Sequence, residues 1–138
     1  MKKKSLIIAA IVCVLVLGIV VWYKTPVGFV NLNPDNVKEI VIFNGNNGQT
    51  LHIQDEEDIR YIIENLNSVK LKRREISSGY KGYSFRTTIY LDNGKEAGGW
   101  NNFIINSSDT VRKDPFFFDV IGGSIDYDYI ERLFEEQQ

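Results

Sequence analysis

The chain has 138 residues, a formal net charge of −2, one histidine and one cysteine. The single cysteine excludes a disulfide framework within the chain, and the lack of a basic excess argues against a general nucleic-acid or anionic-lipid binder. Three of the sixteen basic residues are Lys2, Lys3 and Lys4, so the remainder sets thirteen basic against eighteen acidic side chains, about −5.

Those three lysines precede an unbroken apolar run, Leu6 to Tyr23, that contains no charged residue. Its eighteen residues, at about 1.5 Å each, give roughly 27 Å of helix, close to the ~30 Å hydrocarbon core of a bilayer. Residues 1–24 therefore predict a membrane-spanning helix. Only Lys24 follows the run directly, so the charge asymmetry predicts a single pass through the cell membrane, N-terminus cytoplasmic and the rest extracytoplasmic. A cleaved secretory signal has the same basic-then-apolar order. The exit Val20-Val21-Trp22-Tyr23-Lys24 lacks a small-residue cleavage pattern and carries two aromatics suited to a membrane interface, which favours a retained signal anchor. Cys13 follows the branched Val12 and sits centrally in the run, which disfavours a lipid anchor there.

Two prolines and one glycine between Thr25 and Asp35 discourage regular structure, so residues 25–36 are expected to form a tether. About 115 residues follow the apolar run, enough for one domain with its own core, assigned to residues 37–138. Val37 to Phe43 and Gln49 to Ile53 are strand-like, and the Asn- and Gly-rich stretch 44–48 between them predicts a β-hairpin. A helix follows, capped by Asp55, with Glu56, Glu57 and Asp58 in its first turn and Ile59, Ile62, Ile63 and Leu66 on one face.

Val69 to Glu75 alternates like an edge strand, and Ser77 to Gly82 reads as a flexible loop. Tyr83 to Leu91 and Trp100 to Asn106 predict a second hairpin, with its turn at Asp92 to Lys95. Asn106 to Asp114 is polar and turn-rich, Pro115 to Ile121 has the content of a strand, and Asp126 can cap a last helix that buries Tyr127, Ile130, Leu133 and Phe134. The order β-β-α-β-β-β-β-α behind the N-terminal helix predicts an α+β fold: a twisted antiparallel sheet with both helices on one face.

Catalytic signals are sparse. His52 alternates with Leu51 and Ile53 on a strand, and Ser77, Ser78, Ser107 and Ser108 lack a nucleophile-elbow frame. The Asp55–Asp58 cluster is explained by its place at a helix start, and neither it nor Asp126-Tyr127-Asp128 has the EF-hand pattern. The paired glycines fall at turns without a nucleotide-binding fingerprint. No metal and no cofactor is expected.

The most suggestive constellation is basic and aromatic. Lys70, Lys72 and Arg74 share one side of their strand, and Arg86 lies across from them if the two strands pair. With Tyr80, Tyr83, Trp100 and Arg112 they form the candidate binding surface, for an acidic polymer, peptide or partner anchored by aromatics. The competing structural reading is an edge strand whose charges repel other strands. In Phe116-Phe117-Phe118, alternation sends Phe117 opposite to its neighbours, which implies a sheet covered on both sides there.

The stretches KLKRREISSGYKGYSF (Lys70 to Phe85) and VRKDPFFFDVIGGSIDYDYIERLF (Val111 to Phe134) resemble uncharacterised small membrane-anchored extracytoplasmic α+β proteins of Gram-positive bacteria. They cover about a third of the chain and carry no catalytic signature. The resemblance implies location and class without an activity, and the chain departs from lipoprotein members at Cys13. The expectation is a membrane-tethered extracytoplasmic interaction or ligand-binding domain without catalysis. It would be a monomer, would use an envelope or membrane protein as partner, and would bind no nucleic acid. The alternative is a small envelope hydrolase, or an inhibitor of an envelope enzyme. It would need a concave pocket where a carboxylate or His52 meets Arg86 or Arg112.

Overall fold

The computed structural model describes residues 2–82 and 84–137. The apolar run forms α1, Lys2–Lys24, a helix long and apolar enough to cross a membrane. None of its residues is buried by protein, as befits a helix that is apolar all round.

The segment expected to be a tether is tied into the domain instead. Strand β1, Val27–Gly28, pairs with Leu71 and Lys70, and Phe29 is 1% exposed, with its ring edge-on to Trp100 and Phe103. The side chain of Asn67 donates to the carbonyl of Leu32 and accepts from its N–H, and Asn33 caps a single 3-10 turn, Pro34–Asn36. The prolines do prevent regular structure over most of this stretch. Its apolar residues, Phe29 and Val30, nevertheless have a core to enter, and that burial fixes the path.

The remaining elements are β2 (Val37–Asn44), β3 (Thr50–Ile53), α2 (Glu56–Ser68), β4 (Lys70–Ile76), β5 (Phe85–Leu91), β6 (Phe103–Ile105), β7 (Thr110–Lys113), β8 (Phe116–Ile121) and α3 (Tyr127–Glu136). The fold is α+β, and among the described residues eight strands form one antiparallel sheet in the order β1-β4-β8-β7-β6-β5-β2-β3. Two strands go beyond the expected set. β1 is too short to read from sequence. β7 has one apolar residue, Val111, which is fully buried among polar neighbours.

β4 is not an edge strand. β8 pairs with it from Lys70 to Ile76 on one side, and β1 covers its first residues on the other. The second hairpin is also looser than expected: β5 meets β6 only over Phe85–Thr87, and the chain between Leu91 and Phe103 is a wide loop.

Directly paired residues share a face, which divides the sheet cleanly. Leu71, Phe118, Val111, Ile105, Phe85, Ile42 and Leu51 form one face, and α3 lies on it by stacking Tyr127 and Phe134 on Phe85. α2 lies beside α3, with the Tyr61 and Tyr129 rings 4.1 Å apart, and buries Ile59, Ile62, Ile63 and Leu66. The helices start where their caps dictate: Asp55 accepts from the N–H groups of Glu57 and Asp58, and Asp126 from that of Tyr129.

Candidate functional site

The opposite, helix-free face carries a transverse row of paired residues: Phe43, Arg86, Ile104, Arg112, Phe117 and Glu75. A bulge between Arg73 and Glu75 puts the adjacent side chains of Arg74 and Glu75 on this same face. Arg74 donates to Asp119 at 3.0 Å, pairs with Glu75 at 3.2 Å, and sits 5.6 Å from the Phe117 ring centre. Lys72 faces Asp119 across the strand pair, and Lys70 is exposed at the end of β4.

Three strands separate β4 from β5, and the contacts of Tyr80 and Gly82 show that the connection runs over this face. Tyr80 stands edge-on to Phe117 with ring centres 5.1 Å apart. Arg112 secures the crossing: it donates to the Gly82 carbonyl at 3.1 Å and lies 5.6 Å from the Tyr80 ring centre. Its Nε also donates to Asp114 at 2.9 Å, and the Ser77 hydroxyl donates to the same oxygen at 2.6 Å. Hydrogen bonds from Arg112, then from Ser77, hold the Asp114 carboxyl below its usual range, with the Arg86 charge adding to the effect. The Asp109 carboxyl is likewise held low, first by the hydroxyls of Ser107 and Thr110, with a smaller contribution from the charge of Arg74.

Between the crossing loop and the strands lies an open cleft of about 490 Å³, lined among others by Arg74, Glu75, Tyr80, Ser84, Ser107 and Phe117. Its floor is the buried ring of Phe117, Tyr80 forms a wall, and the rim offers hydroxyls and a guanidinium. Such a surface can hold a flat apolar group while hydrogen-bonding an acidic one. Arg74 already faces Asp119 and Glu75, so an incoming anion has to displace or share these partners.

Of the sequence-predicted residues, Arg74 and Tyr80 line this cleft and Arg112 braces it through Tyr80 and Gly82, with Lys72 beside Arg74 and Lys70 beyond. Arg86 is on the same face but not across from the β4 lysines, because β5 pairs with β2 and β6; Ile104 separates it from Arg112. Trp100 belongs to the other face, packed 5.2 Å from Phe29 and 5.1 Å from Phe118. The residues before Phe103 do not extend as a strand: Asn101 turns its side chain inward to accept from the N–H of Ile89 and donate to Glu96, and Trp100 turns with it. Tyr83 lies outside the described residues.

Phe117, Asp114 and Ser77 complete the arrangement. The alternation within Phe116–Phe118 does point to Phe117, whereas nothing in the spacing links Ser77 to Asp114. His52 is remote, on β3 at the far edge of the sheet, where it bonds Glu39 at 2.9 Å. Among the described residues, no group of three or more His, Cys, Asp or Glu side chains is arranged to hold a metal ion. Compared with protein-family models, curated proteins and solved structures, the chain matches none.

Proposed function

We propose that this chain is a single-pass membrane protein whose domain lies outside the cytoplasm at the cell membrane and serves there as a non-catalytic binding module. In this reading it is kin to the small membrane-anchored Gram-positive proteins it resembles, and it acts as a monomer on an envelope or membrane protein. The orientation rests on Lys2, Lys3 and Lys4 preceding α1, against Lys24 alone directly behind it.

One observation carries the binding reading: the cleft where Tyr80 and Phe117 form an aromatic corner beside Arg74. The ligand it suits is an extended acidic segment with an aromatic or other flat side chain. The hydrolase reading asked for a carboxylate beside Arg112, and Asp114 is one. A carboxylate whose basicity is lowered by Arg112 and Ser77 is a poor general base, however, so its hydrogen bond from the Ser77 hydroxyl activates that oxygen little, and Ser77 is buried at 2% exposure.

The test places a photocrosslinking amino acid at Tyr80 in the full-length protein in membranes, with the same residue at His52 as control. The expected result is a discrete adduct from position 80, absent from position 52 and lost when Lys70, Lys72 and Arg74 are changed together to glutamine. No adduct, or one indifferent to the triple change, would overturn the reading.

A further inference from the structure

The end of the membrane helix does not hang free of the domain. The Arg73 guanidinium lies 4.1 Å from the Trp22 ring centre and donates to the carbonyls of Trp22 at 3.0 Å and Thr25 at 3.5 Å, capping the last turn of α1. The Tyr23 hydroxyl donates to the Arg74 carbonyl at 2.7 Å, and the Phe116 ring stands edge-on to both Trp22 and Tyr23. The residues a membrane helix presents at the headgroup level thus touch one place, the ends of β4 and β8 where Ile76 pairs with Phe116.

Three properties of that place fit a lipid surface. Ile76 is 67% exposed, and the only other exposed large hydrophobic side chains outside α1 among the described residues are Tyr61 and Tyr80. Among the described residues, neither Arg73 nor Lys24 has a carboxylate within ion-pair distance, whereas Arg60, Arg74 and Arg112 do. Arg73 Nε, buried against the rings, has no hydrogen-bond partner among the described residues, so this cation is held by aromatic faces and carbonyls. The acidic body of the domain would be repelled by anionic headgroups, and this local positive edge turns one end toward them.

We propose that Trp22, Tyr23, Arg73, Ile76 and Phe116, with Lys24, form a collar that seats this end of the domain on the phospholipid headgroup layer. Ile76 inserts to the level of the glycerol backbone, and Arg73 and Lys24 meet the lipid phosphates. The bilayer that holds α1 is the occupant, because the collar is continuous with the helix. The inference rests on α1 being a retained span. It sets the end of β4 against the bilayer and leaves β3, the opposite edge strand of the sheet, away from it.

The test reconstitutes the full chain, with Cys13→Ser, in vesicles of phosphatidylglycerol and phosphatidylcholine containing a headgroup-spin-labelled lipid. A fluorophore is attached at Ile76→Cys or, as control, at His52→Cys, on the opposite edge strand. Quenching several-fold stronger at 76 than at 52, and weakened by Arg73→Gln, is the expected result. Equal quenching at both positions in chains that float with the vesicles overturns the collar alone. Chains that fail to float overturn α1 as a membrane span and the collar with it.

Discussion

Arg112 grips the Asp114 carboxylate with two nitrogens, Nε at 2.9 Å and Nη2 at 3.3 Å, and its remaining nitrogen, Nη1, donates to the Gly82 carbonyl at 3.1 Å. The crossing loop is therefore pinned to β7 by a side chain only 12% exposed. Replacing it by alanine gives up the bond to the Gly82 carbonyl, which water can then reach, and removes the side chain that braces Tyr80. The expected cost is about 1–2 kcal/mol, less than for a fully buried pair because Asp114 is in water. Arg112→Lys should recover little of it, since an ammonium cannot bridge three acceptors in a fork. Limited proteolysis is the sharper readout: both variants should become cleavable between Ser77 and Gly82 while the far-ultraviolet spectrum stays unchanged.

Acid stability should depend on the same carboxylate. The Asp114 carboxyl is depressed in the folded state by Arg112 and Ser77, so the unfolded chain takes up the proton first. Its contribution is then fully present above the ordinary carboxylate range and lost as pH falls through the lower folded value. Melting temperatures recorded from neutral pH down to about pH 2 should fall less steeply for Asp114→Asn than for the parent chain. Parallel curves would mean that the Arg112–Asp114 bond contributes nothing to acid stability.

The segment from Thr25 to Asn36 offers a direct contrast between a tether and a structural strap. A tether would tolerate truncation of any side chain. Phe29, 1% exposed against Trp100 and Phe103, should instead behave as core, and Phe29→Ala should cost about 3–5 kcal/mol. Chemical denaturation of the two chains measures the difference, and a change within error would restore the tether.

How much of this was legible depends on the range of the interaction. α2 and α3 announce themselves through Asp55 and Asp126 and through apolar residues at helical spacing. The hairpin of β2 and β3 is readable because its turn residues lie between two short alternating runs. All of these signals are local. β4 pairs with β8 across forty or more positions, and that long-range choice decides that Arg74 meets Phe117 and Asp119 while Arg86 lies on β5, three strands from β8. No periodicity encodes it. Trp100 shows a second limit: Trp100 to Asn106 predicts a strand, but only Phe103–Ile105 is one, because Asn101 replaces ladder pairing with side-chain hydrogen bonds. The cleft was half legible for the same reason, its basic residues from alternation on β4 and its aromatic floor only from the sheet order.

The contact between the two domain helices makes an alkaline prediction. Tyr129 donates to Asp58 and Tyr61 to Asp126, each at 2.5 Å, and the two rings pack together. Burial first, then the bond to Asp58, pushes the Tyr129 hydroxyl up to about 12, and the bond to Asp126 raises that of Tyr61. A raised folded value means that the stabilisation is intact below the ordinary tyrosine range and disappears as pH rises through the folded value, because the unfolded chain releases its proton first. The domain should therefore lose stability from about pH 10 upward. Tyr129→Phe removes the titrating group and should flatten that decline, while losing about 1–2 kcal/mol at neutral pH with the hydrogen bond to Asp58. Thermal melts of parent and variant across this range, read beside the tyrosinate absorbance, distinguish the cases. If the two melting temperatures fall in parallel, ionisation of Tyr129 is not what separates α2 from α3 in alkali.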